Sequence, residues 1–205
     1  MEPVRQVKGR AVPLERADVD TDQIIPASWL KRIERTGFGE GLFSAWRADP
    51  EFVLNRPEYE GARVLVAGPN FGSGSSREHA AWALQDYGFA AVISPRFADI
   101  FRGNSLKIGL LPVELPAATV DRLLSAVRDD PTVEVTIDVE TRTVSAPAAG
   151  VETGLELDDF TRWRLMNCLD DIGLTLRHEE DITSYETGRP AWLPVVGRGM
   201  AVEGR

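Results

Sequence analysis

Between residues 63 and 115, short apolar runs alternate with stretches of helical periodicity, and this rhythm restricts the fold more than any other feature of the chain. Arg63-Val64-Leu65-Val66-Ala67 reads as a buried strand. A glycine-rich loop follows, then a helix over about 76–87 with Ala80, Ala83, Leu84 and Tyr87 on one face. Gly88 ends that helix, and Ala90-Ala91-Val92-Ile93-Ser94 reads as the next strand. A second helix over 96–106 groups Phe97, Ile100 and Phe101, and a third strand occupies 110–115. Strands joined through helices must run parallel, because each crossover returns the chain to the end where the previous strand began. Pro112 places the third strand at a sheet edge or a strand end, where a missing N–H is tolerated.

Residues 4–14 form a further strand. Asp18-Val19-Asp20-Thr21-Asp22-Gln23-Ile24-Ile25-Pro26 is an acidic turn running into a short apolar piece, followed by short helices over 28–33 and 42–46. After a helix over 117–129, with Val120, Leu123, Leu124 and Val127 on one side, the pattern changes. Val133, Val135, Ile137 and Val139 alternate strictly, and 141–144 returns as a hairpin strand. The expected fold class is therefore α/β, with a parallel central sheet, an antiparallel second sheet and flanking helices. Further helices are expected over 158–171 and 177–187, and the Pro- and Gly-rich end from Pro190 is expected to pack on a surface or stay loose. No repeat, low-complexity block or linker divides the chain.

A length of 205 residues suffices for one large domain. The net charge of −9 opposes binding to nucleic acid or to an anionic membrane surface. No run approaches membrane-spanning length and no secretory leader is evident, so the cytoplasm is the expected compartment. A single cysteine, Cys168, permits no internal disulfide and no four-cysteine iron–sulfur site, and two histidines, His79 and His178, are too few for an ordinary structural zinc.

The loop Gly68-Pro69-Asn70-Phe71-Gly72-Ser73-Gly74-Ser75-Ser76-Arg77-Glu78-His79 concentrates the chemistry. Gly72 and Gly74 allow sharp turns and expose backbone N–H groups, and a helix start presents unpaired donors to an anion. The dinucleotide fingerprint fails because Arg77 stands where its third glycine belongs, and no acid ends the next strand. A P-loop would need a lysine after its last glycine, and the hydrolase elbow is absent. Ser75-Ser76-Arg77-Glu78 also fits a capping box, with Ser75 as N-cap and Glu78 reaching back. That explanation leaves the glycines and Arg77 unaccounted for, so the residues alone leave both a structural and a chemical role open.

Gly74-Ser75-Ser76-Arg77-Glu78-His79-Ala80 resembles the serine–arginine motif of the aconitase superfamily's swivelling domain. Asp20-Thr21-Asp22-Gln23-Ile24-Ile25-Pro26, Arg35-Thr36-Gly37-Phe38-Gly39, Phe97-Ala98-Asp99-Ile100-Phe101 and Asp171-Ile172-Gly173-Leu174-Thr175-Leu176 extend the likeness to the small subunits of 3-isopropylmalate dehydratases. The resemblance implies a swivelling domain over 1–192 with a C-terminal tail over 193–205. It implies no cofactor on this chain, and a large-subunit partner that holds a four-iron–four-sulfur cluster. The substrate is then a small dicarboxylate, 2-isopropylmalate, converted through isopropylmaleate to 3-isopropylmalate in leucine biosynthesis. The neighbouring expectation is a homoaconitase-like or citraconate-type hydro-lyase, and the different-class alternative is a stand-alone phosphate- or nucleotide-binding module.

By the same resemblance Ser75 is the base, acting as an alkoxide, with Ser76 and Arg77 binding a substrate carboxylate. Asp22 orients the serine or an arginine, or else closes an ordinary turn. Trp29, Leu30, Lys31 and Arg32 occupy the specificity loop, with two arrangements open: side chains turned to the substrate, or an apolar pair facing the core and a basic pair facing solvent. His79, His178 and Cys168 read as structural.

Overall fold

A computed structural model describes residues 3–31, 36–190 and 192–193. Chain contacts divide it into two units, Met1–Asp170 and Asp171–Arg205. The first unit is built on a seven-stranded sheet ordered β4-β3-β2-β1-β5-β6-β7. Its strands are β1 (Gln6–Leu14), β2 (Val64–Ala67), β3 (Ala91–Ser94), β4 (Leu111–Glu114), β5 (Glu134–Asp138), β6 (Thr143–Ala146) and β7 (Val151–Gly154). The expected parallel strands and antiparallel strands are both present, but as two halves of one continuous sheet joined through β1 rather than as separate sheets. Residues Ala11 to Leu14 run parallel to β2, whereas Gln6 to Arg10 run antiparallel to β5. β2, β3 and β4 continue the parallel half, and β5, β6 and β7 the antiparallel half. Pro112 lies on the edge strand β4, as its missing N–H requires.

The helices of this unit are α1 (Thr21–Ile24), α2 (Ser44–Arg47), α3 (Glu78–Tyr87), α4 (Asp99–Ile108), α5 (Ala117–Asp129) and α6 (Asp159–Met166), with 3-10 turns at Ala27–Lys31, Phe38–Gly41, Val53–Asn55, Pro57–Tyr59 and Pro147–Ala149. The helix expected over 158–171 ends early, at Met166, and Cys168 follows with a φ of +58°. α6 starts where Asp158 accepts a hydrogen bond from the Thr161 N–H at 2.9 Å. Donation from the side chain and the N–H of Thr161 holds the Asp158 carboxyl below the usual carboxylate range. Strand β7 had no counterpart among the expected elements.

The core is continuous. Val64, Leu65, Val66, Ala67, Ala91, Val92, Ile93 and Val113 are inaccessible from the parallel strands, and Val135, Ile137 and Val144 from the antiparallel ones. Ala80, Ala83 and Leu84 of α3 and Val120, Leu123 and Val127 of α5 are buried, as their periodicity predicts. The second unit holds α7 (Asp171–Leu176) and α8 (Glu179–Thr187), which among the described residues contain no buried side chain. Arg32 and the tail from residue 194 lie outside the described residues.

Candidate active site

The site is assembled at the carboxyl ends of the parallel strands, where loops leaving β1, β2 and β3 are bonded to one another. The Gly68 N–H donates to Arg16 O at 3.1 Å and the Asp18 N–H to Pro69 O at 2.9 Å. Gly72 and Ser73 both donate to Val19 O, at 2.7 and 3.2 Å. On the other side Phe71 donates to Arg96 O and Ala98 to Phe71 O, each at 3.0 Å, while Ser94 Oγ donates to Gly68 O at 2.7 Å. This is the general location of ligand sites in open α/β sheets, because diverging loops leave a crevice there.

Two glycines shape the loop. Gly72 has a φ of +78°, and a Cβ on it would fall 2.2 Å from Phe101 Cγ, so α4 packs directly against the bare backbone. Gly74 has a φ of +90°, a conformation L side chains rarely adopt. These turns carry Ser75 and Ser76 onto the surface, where both are exposed. Among the described residues neither hydroxyl has a hydrogen-bond partner.

The capping box expected at Ser75 is not formed. α3 begins at Glu78, with Arg77 as its N-cap in extended conformation and no side-chain cap. Tertiary contacts outcompete the local pattern: Thr21 Oγ1 donates to Ser75 O at 3.1 Å, and the Arg77 guanidinium is held by Asp22. Arg77 therefore stands before the helix rather than in its first turn. Its side chain is 19% exposed while that of Asp22 is 56% exposed, so the guanidinium is partly enclosed and its partner faces solvent. Asp22 engages Nη1, and a guanidinium has five N–H donors arranged as a fork, so a second anion can be met on another edge. Glu78 occupies the first position of α3, where it supplies the negative charge a phosphate would need to supply. That placement counts against the phosphate- or nucleotide-binding alternative.

The structure thus brings Ser75, Ser76, Arg77, Asp22, Gly72 and Gly74 together. The 3-10 turn Ala27–Lys31 continues from α1, and within it Trp29 presses its ring on Gly41, whose added Cβ would lie 2.5 Å away. Trp29 and Leu30 are half-buried and Lys31 is exposed. His79 packs between the rings of Phe38 and Trp82, at centroid distances of 5.2 and 4.7 Å, which suits a structural role. Thr21 carries no role in the sequence-based expectations. Its one signal was its place between two aspartates already singled out.

The donor set of this chain does not fit an iron–sulfur cluster. Cys168 is the one cysteine, and among the described residues no three His, Cys, Asp or Glu side chains converge as metal ligands. No helix among them is long and apolar enough to cross a membrane.

Residues 1–118 match the aconitase C-terminal domain family, and residues 171–194 match the family of the C-terminal domain of the 3-isopropylmalate dehydratase small subunit. The 3-isopropylmalate dehydratase small subunit of Parafrankia sp. is 71% identical over 186 residues, covering 91% of this chain and 94% of the relative. That of Rubrobacter xylanophilus is 65% identical over 196 residues, covering 96% and 100%. The crystal structure of 3-isopropylmalate dehydratase (leuD) from Methanocaldococcus jannaschii superposes with a TM-score of 0.64 at 27% identity, covering 88% of this chain and 99% of that one. The chain belongs to the family of 3-isopropylmalate dehydratase small subunits.

Proposed function

We propose that this chain is the small subunit of a heterodimeric hydro-lyase that isomerises 2-isopropylmalate to 3-isopropylmalate in the cytoplasm. The observation that supports this reading best is the exposed Ser75-Ser76 pair, set by two positive-φ glycines beside a guanidinium oriented by Asp22. Residues 1–192 then act as the swivelling domain and 193–205 as its tail. The iron–sulfur cluster expected for the assembled enzyme belongs, on this reading, to the large subunit.

Removing a proton beside a carboxylate needs a base, and on this reading the exposed Ser75 is that base. A serine hydroxyl ionises too weakly in water to serve. Preorganised N–H donors and a nearby cation lower the cost of an alkoxide in a site closed from solvent. This loop provides backbone N–H groups and Arg77. A substrate carboxylate is met by the Arg77 fork and the Ser76 hydroxyl. On this reading Trp29, Leu30 and Lys31, with Arg32 by its place in the sequence, belong to the loop that tells an isopropyl group from a second carboxylate.

The test is Ser75→Ala, assayed anaerobically with the cognate large subunit. Turnover of 2-isopropylmalate is expected to fall by about 10²- to 10⁴-fold, the usual contribution of a positioned base, while the heterodimer still forms. Near-normal turnover would return Ser75 to a structural role. Turnover of citrate or homocitrate without turnover of 2-isopropylmalate would transfer the chain to the homoaconitase-like reading.

A further inference from the structure

Thr21 is 2% exposed and is the first residue of α1. It bonds the serine loop twice. Its N–H donates to Ser73 O at 2.9 Å, and its Oγ1 donates to Ser75 O at 3.1 Å. The two bonds straddle Gly74, whose added Cβ would sit 3.6 Å from that same Oγ1. Thr21 is itself held by a closed turn: Asp20 Oδ1 accepts from the Gln23 N–H at 2.8 Å, and Gln23 Oε1 accepts from the Asp20 N–H at 3.0 Å.

A trans peptide is planar, so its C=O and N–H point in opposite directions. With the carbonyls of Ser73 and Ser75 both drawn toward Thr21, the N–H groups of Gly74 and Ser76 are turned away from it. They lie on either side of Ser75. Among the described residues neither N–H donates a hydrogen bond. We propose that Thr21 is a positioning residue for Ser75: its hydroxyl fixes the peptide after Ser75 so that flanking N–H donors face the Ser75 oxygen and the acid bound there. This rests on the reading of Ser75 as the base. The side chain suits the task. A buried hydroxyl must find an acceptor, and branching at Cβ restricts χ1, so the oxygen has few other directions to take.

Valine keeps the shape and the backbone N–H of Thr21 but removes the hydroxyl, and serine keeps the hydroxyl. In the assembled heterodimer acting on 2-isopropylmalate, Thr21→Val is expected to lower kcat by about 10- to 100-fold, the scale of a small misplacement of a reacting group. KM changes little. The alkaline shift of the kcat–pH profile marks the mechanism, because a worse-solvated Ser75 oxygen ionises at higher pH. Thr21→Ser restores most of kcat. If Thr21→Val does not fold, Thr21→Ala is measured in its place. The proposal is overturned by kcat within about twofold of wild type, by Thr21→Ser being as slow as Thr21→Val, or by a loss with an unmoved pH profile. Ser75→Ala, run alongside, separates the two readings. An active Ser75→Ala enzyme defeats the assignment of the base itself. An inactive Ser75→Ala with a normal Thr21→Val defeats the Thr21 role alone.

Discussion

Arg77 and Asp22 form an ion pair whose worth differs by property. A pair with one partner largely in water contributes about 0–1 kcal/mol to stability, since solvent screens it and two side chains must be ordered. On the proposed function its effect on the site is larger, because the carboxylate fixes the direction of the guanidinium assigned to the substrate acid. Asp22→Ala is therefore expected to change the unfolding free energy by less than about 1 kcal/mol and turnover by about tenfold or more. Urea unfolding and steady-state kinetics of the same preparation check this, and equal losses in both would reduce the pair to a surface contact. The aspartate and the arginine were legible as residue types in their motifs, but their pairing was not. Fifty-five positions separate them, and the local S-x-x-E pattern pointed to a helix start at Ser75 instead. That pattern lost because Thr21 takes the Ser75 carbonyl, a contact no local window contains.

At the scale of elements, the loop between β2 and α3 works because its two special glycines answer different needs. Both have positive φ, which costs about 1–3 kcal/mol for a residue with a Cβ. Only Gly72 also has a neighbour in the way: the buried Phe101, whose Cβ and Cγ lie 2.5 and 2.2 Å from the added atom. Forcing an extra carbon into a packed contact costs about another 1–3 kcal/mol. Gly72→Ala should thus lower stability by more than Gly74→Ala, where the nearest atom is 3.5 Å away. Chemical denaturation of the two variants gives the comparison, and equal losses would mean that α4 yields to the intruding carbon. The elements around this loop were readable because their burial is periodic. α5 spans Ala117–Asp129, the range expected around its apolar spacing, and Gly88 stops α3 in the left-handed region. β7 escaped because Val151-Glu152-Thr153-Gly154 is short, holds one buried side chain and ends in glycine, so its partner β6 defines it more than its own pattern does.

At the scale of the whole first unit, β1 is the shared member of two sheet halves with opposite strand sense. Its first part gives its hydrogen bonds to β5 and its second part to β2, and the change falls between Arg10 and Ala11. The hand-over is itself bonded: Arg63 donates to Arg10 O at 2.9 Å and Ala11 to Val133 O at 3.2 Å. Gly9 lets Arg63 approach, since a Cβ there would lie 2.8 Å from Arg63 Cβ. The sequence predicts a strand over 4–14 but says nothing of this split, because pairing partners are set by contacts far along the chain. Leu14, 2% exposed and paired with Ala67, ends β1 just before the loop that reaches the site. Leu14→Ala should cost about 2–5 kcal/mol, through lost burial and the cavity left behind. If β1 makes the two halves one cooperative body, that loss spreads beyond the parallel half that Leu14 touches. Native-state amide exchange then shows β5 and β6 losing protection by the same factor as β2 and β3. Retained wild-type protection in β5 and β6, with loss confined to β2 and β3, would mean that the halves open separately and that the serine loop rides on the parallel half alone.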